Sequence, residues 1–83
     1  SWPALRPEAV AKFQLLRAYY LGADAQFATA LSAAEQACEG FQGLGHQQGA
    51  AEALCRAGEV QMYAGETERG HTLLEQSRKW HGL

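Results

Sequence analysis

The sequence predicts an all-α protein whose four helices form two stacked antiparallel helical hairpins, a fragment of an α–α superhelix. The 83-residue chain is rich in alanine, the residue with the highest helix propensity. Its apolar residues recur three and four positions apart, which is the period of an α-helix. Small residues also stand where the two helices of one hairpin, within residues 51–80, would have to touch. At this length, residues 1–83 suit a single domain.

The first hairpin is predicted over residues 6–42. Pro7 suits a first helical turn, because its missing N–H has no partner there, and apolar residues then recur at helical spacing. We therefore expect helix one over about residues 6–21. Asp24 is the expected N-cap of helix two, which places that helix over about residues 25–40.

The second hairpin is predicted over residues 47–81, after a glycine-rich stretch. Glycine favours turns and helix C-caps, so we expect this stretch to be the longest linker of the chain. Its glycines are Gly40, Gly43, Gly45 and Gly49. The remaining helices are predicted from Gln47 or Gly49 through Ala64 and, after Gly65, from Thr67 to Gly82. Short connections predict antiparallel neighbours, but periodicity alone leaves a closed four-helix bundle as an alternative.

Composition argues against several classes of function. A formal charge of −2 without a basic cluster predicts no nucleic-acid partner. The absence of a long apolar run and of a signal-peptide pattern predicts no membrane association and a cytoplasmic location. Cys38 and Cys55 are interpreted as small helical residues, with a disulfide or a reactive thiol as alternatives.

No pattern in the sequence indicates catalysis. The spacing Glu68-x-x-His71 occurs in di-iron bundles, but a di-iron site needs the motif twice and here it occurs once. His46 is interpreted as a solvated histidine, since no nucleophile is positioned beside it in the sequence. We therefore expect a protein that is not an enzyme and that has no catalytic residue, metal or cofactor.

The second hairpin resembles the tetratricopeptide repeat family. In that family, small residues let the two helices of a unit cross at close range. The residues that carry the resemblance are Ala51-Glu52-Ala53, Leu54, Ala57-Gly58, Gly65, Gly70, Leu74 and Ser77.

An upstream copy of the unit is more degenerate. Tyr20-Leu21-Gly22 is aligned with Tyr63-Ala64-Gly65, a spacing of 43, and residues 34–37 with 74–77, a spacing of 40. The family's usual period is about 34 residues, and we attribute most of the excess to the glycine-rich linker. Units of this length are similar to the helical-repeat sensor regions of large bacterial ATP-dependent transcription activators.

The resemblance implies a non-catalytic module that binds a protein or peptide on the concave face of its first helices, within a larger bacterial regulatory or scaffold protein. The expected binding residues are Lys12, Phe13, Leu16, Tyr19, Tyr20, Arg56, Glu59, Met62 and Tyr63, with Ala9, Glu52 and Cys55 at further groove positions. Aromatic and flexible apolar side chains of this kind suit an adaptable peptide groove.

Three alternatives remain open from the sequence. Some of the aromatic and leucine residues of helix one could simply fill the core. The same groove could instead close over a small apolar effector. A terminal face could be covered by neighbouring repeats or by a second copy, which would form a homodimer through helix one or helix four.

Overall fold

The computed structural model describes residues 6–81, and these residues form four α-helices and no strand. The helices are α1, Pro7–Ala23; α2, Phe27–Gly43; α3, Gln47–Tyr63; and α4, Thr67–His81. Glycine at position 82, expected to end α4, lies outside the described residues. None of the four helices is long and apolar enough to cross a bilayer.

The helices start at regular intervals of 20 residues, and each pair is joined by a three-residue turn. The middle residue of each turn has a positive φ: 60° at Ala25, 70° at Gly45 and 89° at Gly65. The middle N–H donates to the carbonyl three residues before it, and the next N–H donates to the carbonyl five residues before it. This is the Schellman arrangement, which satisfies the last carbonyls of a helix. One turn geometry is therefore used three times.

Consecutive helices pack against one another, so the chain forms two hairpins, α1–α2 and α3–α4, that meet through α2 and α3. In addition α1 touches α3, whereas within residues 6–81 no Cα of α4 lies within 8 Å of a Cα of α1 or α2. The molecule measures 43 × 32 × 13 Å, and its long dimension exceeds the roughly 26 Å of a 17-residue helix. The all-α fold of stacked hairpins is confirmed, and the helices do not close around a common axis. The first helices of the two hairpins, α1 and α3, also approach each other.

The core is small and built mainly from alanine. One cluster joins Ala11 and Leu15 of α1 to Cys38 and Phe41 of α2 and to the first half of α3. A second cluster surrounds Ala18 and includes buried alanines of α2 and α3. Alanine side chains let the helix backbones approach closely, so tight packing compensates for the limited apolar area.

The closest helix contact lies where the sequence predicts it, between α3 and α4. A Cβ added to Gly58 would lie 2.8 Å from Leu74 Cγ and 3.0 Å from the carbonyl oxygen of Gly70. Further along the same contact, the buried hydroxyl of Ser77 donates a 2.6 Å hydrogen bond to the carbonyl oxygen of Ala51. The expectation that small residues permit this crossing is therefore confirmed.

The prediction of a long glycine-rich linker is wrong. The turn is only Leu44–His46, and the glycines at 40, 43 and 49 lie inside helices. Two of them are required by packing rather than by a turn: a Cβ on Gly40 would lie 3.0 Å from Ala11 Cβ, and one on Gly49 would lie 2.5 Å from the Phe41 ring. The length beyond the family's usual unit is therefore in the helices, not in the connections.

Two further sequence expectations are corrected at the helix ends. Asp24 is the C-cap of α1 rather than the N-cap of α2, and Gln26 occupies that N-cap position. His46 is not simply solvated: its Nδ1 accepts a 2.9 Å hydrogen bond from the N–H of Gly49, which caps α3. The imidazole also lies 5.1 Å from the Phe41 ring, between ring centroids.

Candidate binding groove

A groove of about 520 Å³ lies between the C-terminal parts of α1 and α3, on the side where the first helices of the two hairpins approach each other. We call it the binding groove. It is partly open to solvent rather than enclosed. Its lining residues are Tyr19, Gly22, Ala23, Ala25, Phe27, Arg56, Val60 and Tyr63.

Arg56 lines the groove and contacts a residue of each of the two helices that form it. Its guanidinium carbon lies 3.6 Å from the centroid of the Tyr19 ring, and one guanidinium nitrogen lies 3.3 Å from a carboxylate oxygen of Glu59. The Arg56 side chain is 19% exposed, and its Nε is buried with no hydrogen-bond partner in the described part of the chain. A cation held over an aromatic face in this way fixes both side chains. The arrangement connects Tyr19 of α1 to Arg56 of α3 at the groove.

Tyr63 flanks the groove beyond this cluster and is 69% exposed. Its phenol is free to contact a partner, and because the ring is already in water, a partner that covers it removes apolar area from solvent. Tyr19, by comparison, is 42% exposed, so one aromatic side chain is held and the other is available.

The two cations expected in the groove are both paired within their own helices. Lys12 Nζ lies 3.6 Å from Glu8, one turn earlier on α1, and both side chains are at least half exposed. Arg56 pairs with Glu59 as described. Near the groove, positive charge is therefore balanced by carboxylates of the chain itself.

The structure corrects the register used to align the two hairpins. The turn residue Ala25 corresponds to Gly65, an interval of 40, so the alignment of Gly22 with Gly65 was wrong by three residues. Gly22 instead corresponds to Met62. The first-hairpin counterparts of Glu52, Arg56 and Glu59 thus become Lys12, Leu16 and Tyr19.

Phe13 and Tyr20 move off the groove in this register. Their counterparts are the buried residues Ala53 and Val60, of which Val60 lines the groove. Phe13 and Tyr20 themselves are not among the lining residues. Phe13 is 60% exposed and Tyr20 70% exposed, so they do not fill a core either. The core alternative is likewise wrong for Leu16 and Tyr19, which are 53% and 42% exposed.

Met62 was also expected in the groove and is found elsewhere. A Cβ on Gly70 would lie 2.6 Å from Met62 Cγ, so the thioether side chain packs on the backbone of α4. It is half-buried and contributes to the α3–α4 contact instead.

Five lining residues were not singled out by the sequence: Gly22, Ala23, Ala25, Phe27 and Val60. The first four lie at or beside the first turn of the chain, and Val60 is the residue of α3 that faces this turn. A Cβ on Gly22 would lie 3.7 Å from Val60, which shows how closely α1 and α3 approach. The signal that could have identified them is the 20-residue interval between the turns. It makes the first turn equivalent to the turn that follows Tyr63 and so places these residues beside Tyr63.

A second depression of about 290 Å³ lies where α2, α3 and α4 meet. Cys38 lines it together with apolar residues and two glutamates. Cys38 and Cys55 are both free thiols. Burial raises the pKa of each thiol, and the neighbouring carboxylates of Glu39 and Glu59 add to this effect. Both are therefore protonated and unreactive near neutral pH. Among the described residues, no group of histidine, cysteine and carboxylate side chains is suited to hold a metal ion.

Comparisons with protein-family models, with curated proteins and with solved structures found no match to this chain. Its function is therefore inferred from the fold and the groove.

Proposed function

We propose that this chain is a tetratricopeptide-like interaction module that binds a peptide or protein segment in the groove between α1 and α3. The observation that carries the proposal is the stacked pair of Tyr19 and Arg56, with the exposed Tyr63 beside it, in an open groove between α1 and α3. The tight crossing at Gly58 and Gly70 supports the family resemblance. The module would be a cytoplasmic part of a larger bacterial regulatory or scaffold protein, with no enzymatic activity of its own.

The chemistry of the groove favours an apolar or aromatic side chain as the anchor of the partner. Aromatic residues supply large contact areas at low cost in side-chain entropy, and Tyr63 is exposed while Tyr19 is already fixed. An acidic peptide is less favoured, because Arg56 and Lys12 already pair with carboxylates. Such a peptide would have to displace those pairs and leave the displaced carboxylates near its own charge.

The alternative proposal is an effector-sensing domain that binds a small apolar molecule in the same groove. The volume of about 520 Å³ falls within the roughly 300–1,000 Å³ of small-molecule pockets. Those pockets, however, enclose most of the ligand surface, whereas this groove is partly open to solvent. The open shape favours a peptide or protein segment, part of which stays in contact with solvent.

The test is a selection of peptides from a phage-displayed random library, followed by fluorescence anisotropy with synthetic copies of the enriched peptides. Tyr63→Ala should weaken binding at least about tenfold, which corresponds to about 1.4 kcal/mol. Tyr20→Ala is the matched control, since Tyr20 is 70% exposed and Tyr63 69%, but Tyr20 lies off the groove. Circular dichroism should show unchanged helicity in both variants.

Equal losses in the two variants would contradict the assignment of the groove. Failure of any peptide to enrich over an unrelated helical domain would contradict peptide binding altogether. In that case the naphthalene dye ANS is the probe for the alternative: fluorescence enhancement that Tyr63→Ala abolishes and Tyr20→Ala retains would support the effector-sensing function.

A further inference from the structure

Helix α1 carries a second exposed apolar face, distinct from the binding groove. Val10, Phe13 and Tyr20 are 40%, 60% and 70% exposed. Their counterparts 40 residues later in the chain, Ala50, Ala53 and Val60, are 0%, 0% and 1% exposed. The α3 face is buried because the first hairpin packs on it, through residues that include Cys38 and Phe41. The same face of α1 has no covering element within residues 6–81.

The spacing of this face has the pattern of a coiled-coil seam. The residues of this face are separated by alternating steps of four and three residues, which brings them to one side of a helix; they are positions 6, 10, 13, 17, 20 and 24. We define these residues as the α1 seam: Arg6, Val10, Phe13, Arg17, Tyr20 and Asp24. All are exposed except Arg17, which is half-buried and donates a 3.0 Å hydrogen bond to Gln14.

The opposite end of the stack does not offer a matching surface. On α2, Leu31 and Cys38 belong to the buried clusters, but their counterparts on α4 are His71 and Arg78, both exposed. Head-to-tail stacking of α4 on the α1 seam of another molecule would bury the Arg78 charge against apolar residues, which is costly. The polar face of α4 instead suits the end of a stack.

We infer that a second copy of this chain covers the α1 seam, with the two α1 helices antiparallel about a two-fold axis. An axis passing near position 15 sets Phe13 opposite Arg17 of the partner subunit and Val10 opposite Tyr20 of the partner subunit. It also sets Arg6 opposite Asp24 of the partner subunit, at both ends of the seam. Each position then meets a complementary one: cation against aromatic ring, apolar against aromatic, and guanidinium against carboxylate.

This arrangement is closed, because the same patch is used by both subunits and no free copy of it remains. One pair of helices about 26 Å long makes a small interface, toward the low end of specific protein–protein contacts. Monomer and dimer therefore exchange with protein concentration. The binding groove lies on a different side of α1 and stays accessible, so the dimer does not depend on the proposed peptide-binding function.

The experiment is sedimentation equilibrium of the chain over a wide concentration range. The wild type should pass from monomer to dimer and no further. Phe13→Lys places a lysine opposite Arg17 on both sides of the axis and should raise the dissociation constant at least about tenfold. Tyr63→Ala, which changes the groove alone, should leave the dissociation constant unchanged.

A charge exchange tests the antiparallel register itself. Arg6→Glu alone and Asp24→Lys alone each set like charges against one another across the axis and should weaken the dimer. The double variant restores opposite charges and should recover the wild-type dissociation constant. A monomer at all concentrations, assemblies that grow beyond a dimer, or a double variant weaker than both single variants would each overturn the inference.

Discussion

The turn residue Ala25 is expected to be a point of backbone strain that a single substitution relieves. The three turns share one geometry, and two of them have glycine where the φ angle is positive. Ala25 adopts a φ of 60° with an alanine side chain. Alanine in this left-handed region costs about 1–2 kcal/mol relative to glycine. Ala25→Gly should therefore stabilise the folded chain, and Gly65→Ala should destabilise it.

The expected size is set by two opposing terms. Relief of the left-handed strain contributes about 1–2 kcal/mol, while the greater freedom of glycine in the unfolded chain offsets about 0.4–1 kcal/mol of it. The net change is about 0.5–1 kcal/mol, which shifts the melting temperature of a domain this size by about 2–8 °C. A Cβ added at Gly65 meets no atom of residues 6–81 within 4 Å, so the loss of stability in Gly65→Ala measures the backbone strain alone.

The assay is thermal and guanidinium unfolding followed by circular dichroism, with Gly45→Ala as a second copy of the Gly65→Ala change. Gly45 also has open space around its added Cβ. The reasoning would be refuted if Ala25→Gly lowered the melting temperature, or if the two glycine-to-alanine variants raised it. Either result would show that the three turns do not share the left-handed conformation.

Two further predictions concern the close helix contact and the thiols. Gly58→Ala brings a Cβ to 2.8 Å from Leu74 Cγ and should lower the free energy of unfolding by about 1–3 kcal/mol. Gly43→Ala, with nothing within 4 Å of its added Cβ, should instead be neutral or stabilising in the same urea titration, and equal losses would contradict the tight crossing. Burial raises the folded-state pKa of Cys38 and Cys55 above the unfolded-state value of about 8.5. The two thiols therefore contribute their full stabilisation below about pH 8.5, and this stabilisation is lost as the pH rises through the folded-state pKa. The free energy of unfolding should therefore decline less above about pH 8.5 when both cysteines are replaced by alanine. An equal decline in the two proteins would show that other titrating groups cause it.

The sequence predicted the parts of the fold that depend on local pattern. The start of α4 at Thr67 and the small residues at the α3–α4 crossing were predicted correctly, because periodicity and side-chain size bear directly on those features. The closed bundle could be excluded only from the structure, since it differs from the stack in contacts between distant helices. The family membership and the binding function stay predictions.

The errors arose where tertiary contacts override a residue's usual preference. Gly40 and Gly49 resemble turn glycines in the sequence, but each lacks a side chain because Ala11 or Phe41 occupies that space. Ala25 carries no turn signal, since alanine seldom adopts a positive φ. Without that turn, Gly22 was the nearest match to Gly65, and the three-residue error then placed Phe13 and Tyr20 in the groove instead of on the α1 seam.

The lack of contact between α1 and α4 has a mechanical consequence. In a closed bundle the first and last helices brace each other, so the structure resists tension as a unit. Here the main interfaces follow one another along the chain, with a smaller contact between α1 and α3, so a force applied at the two ends loads them largely in series. The outermost helix at either end can peel away while the central pair, α2 and α3, stays docked. Each hairpin added to such a stack would add one more interface to the series.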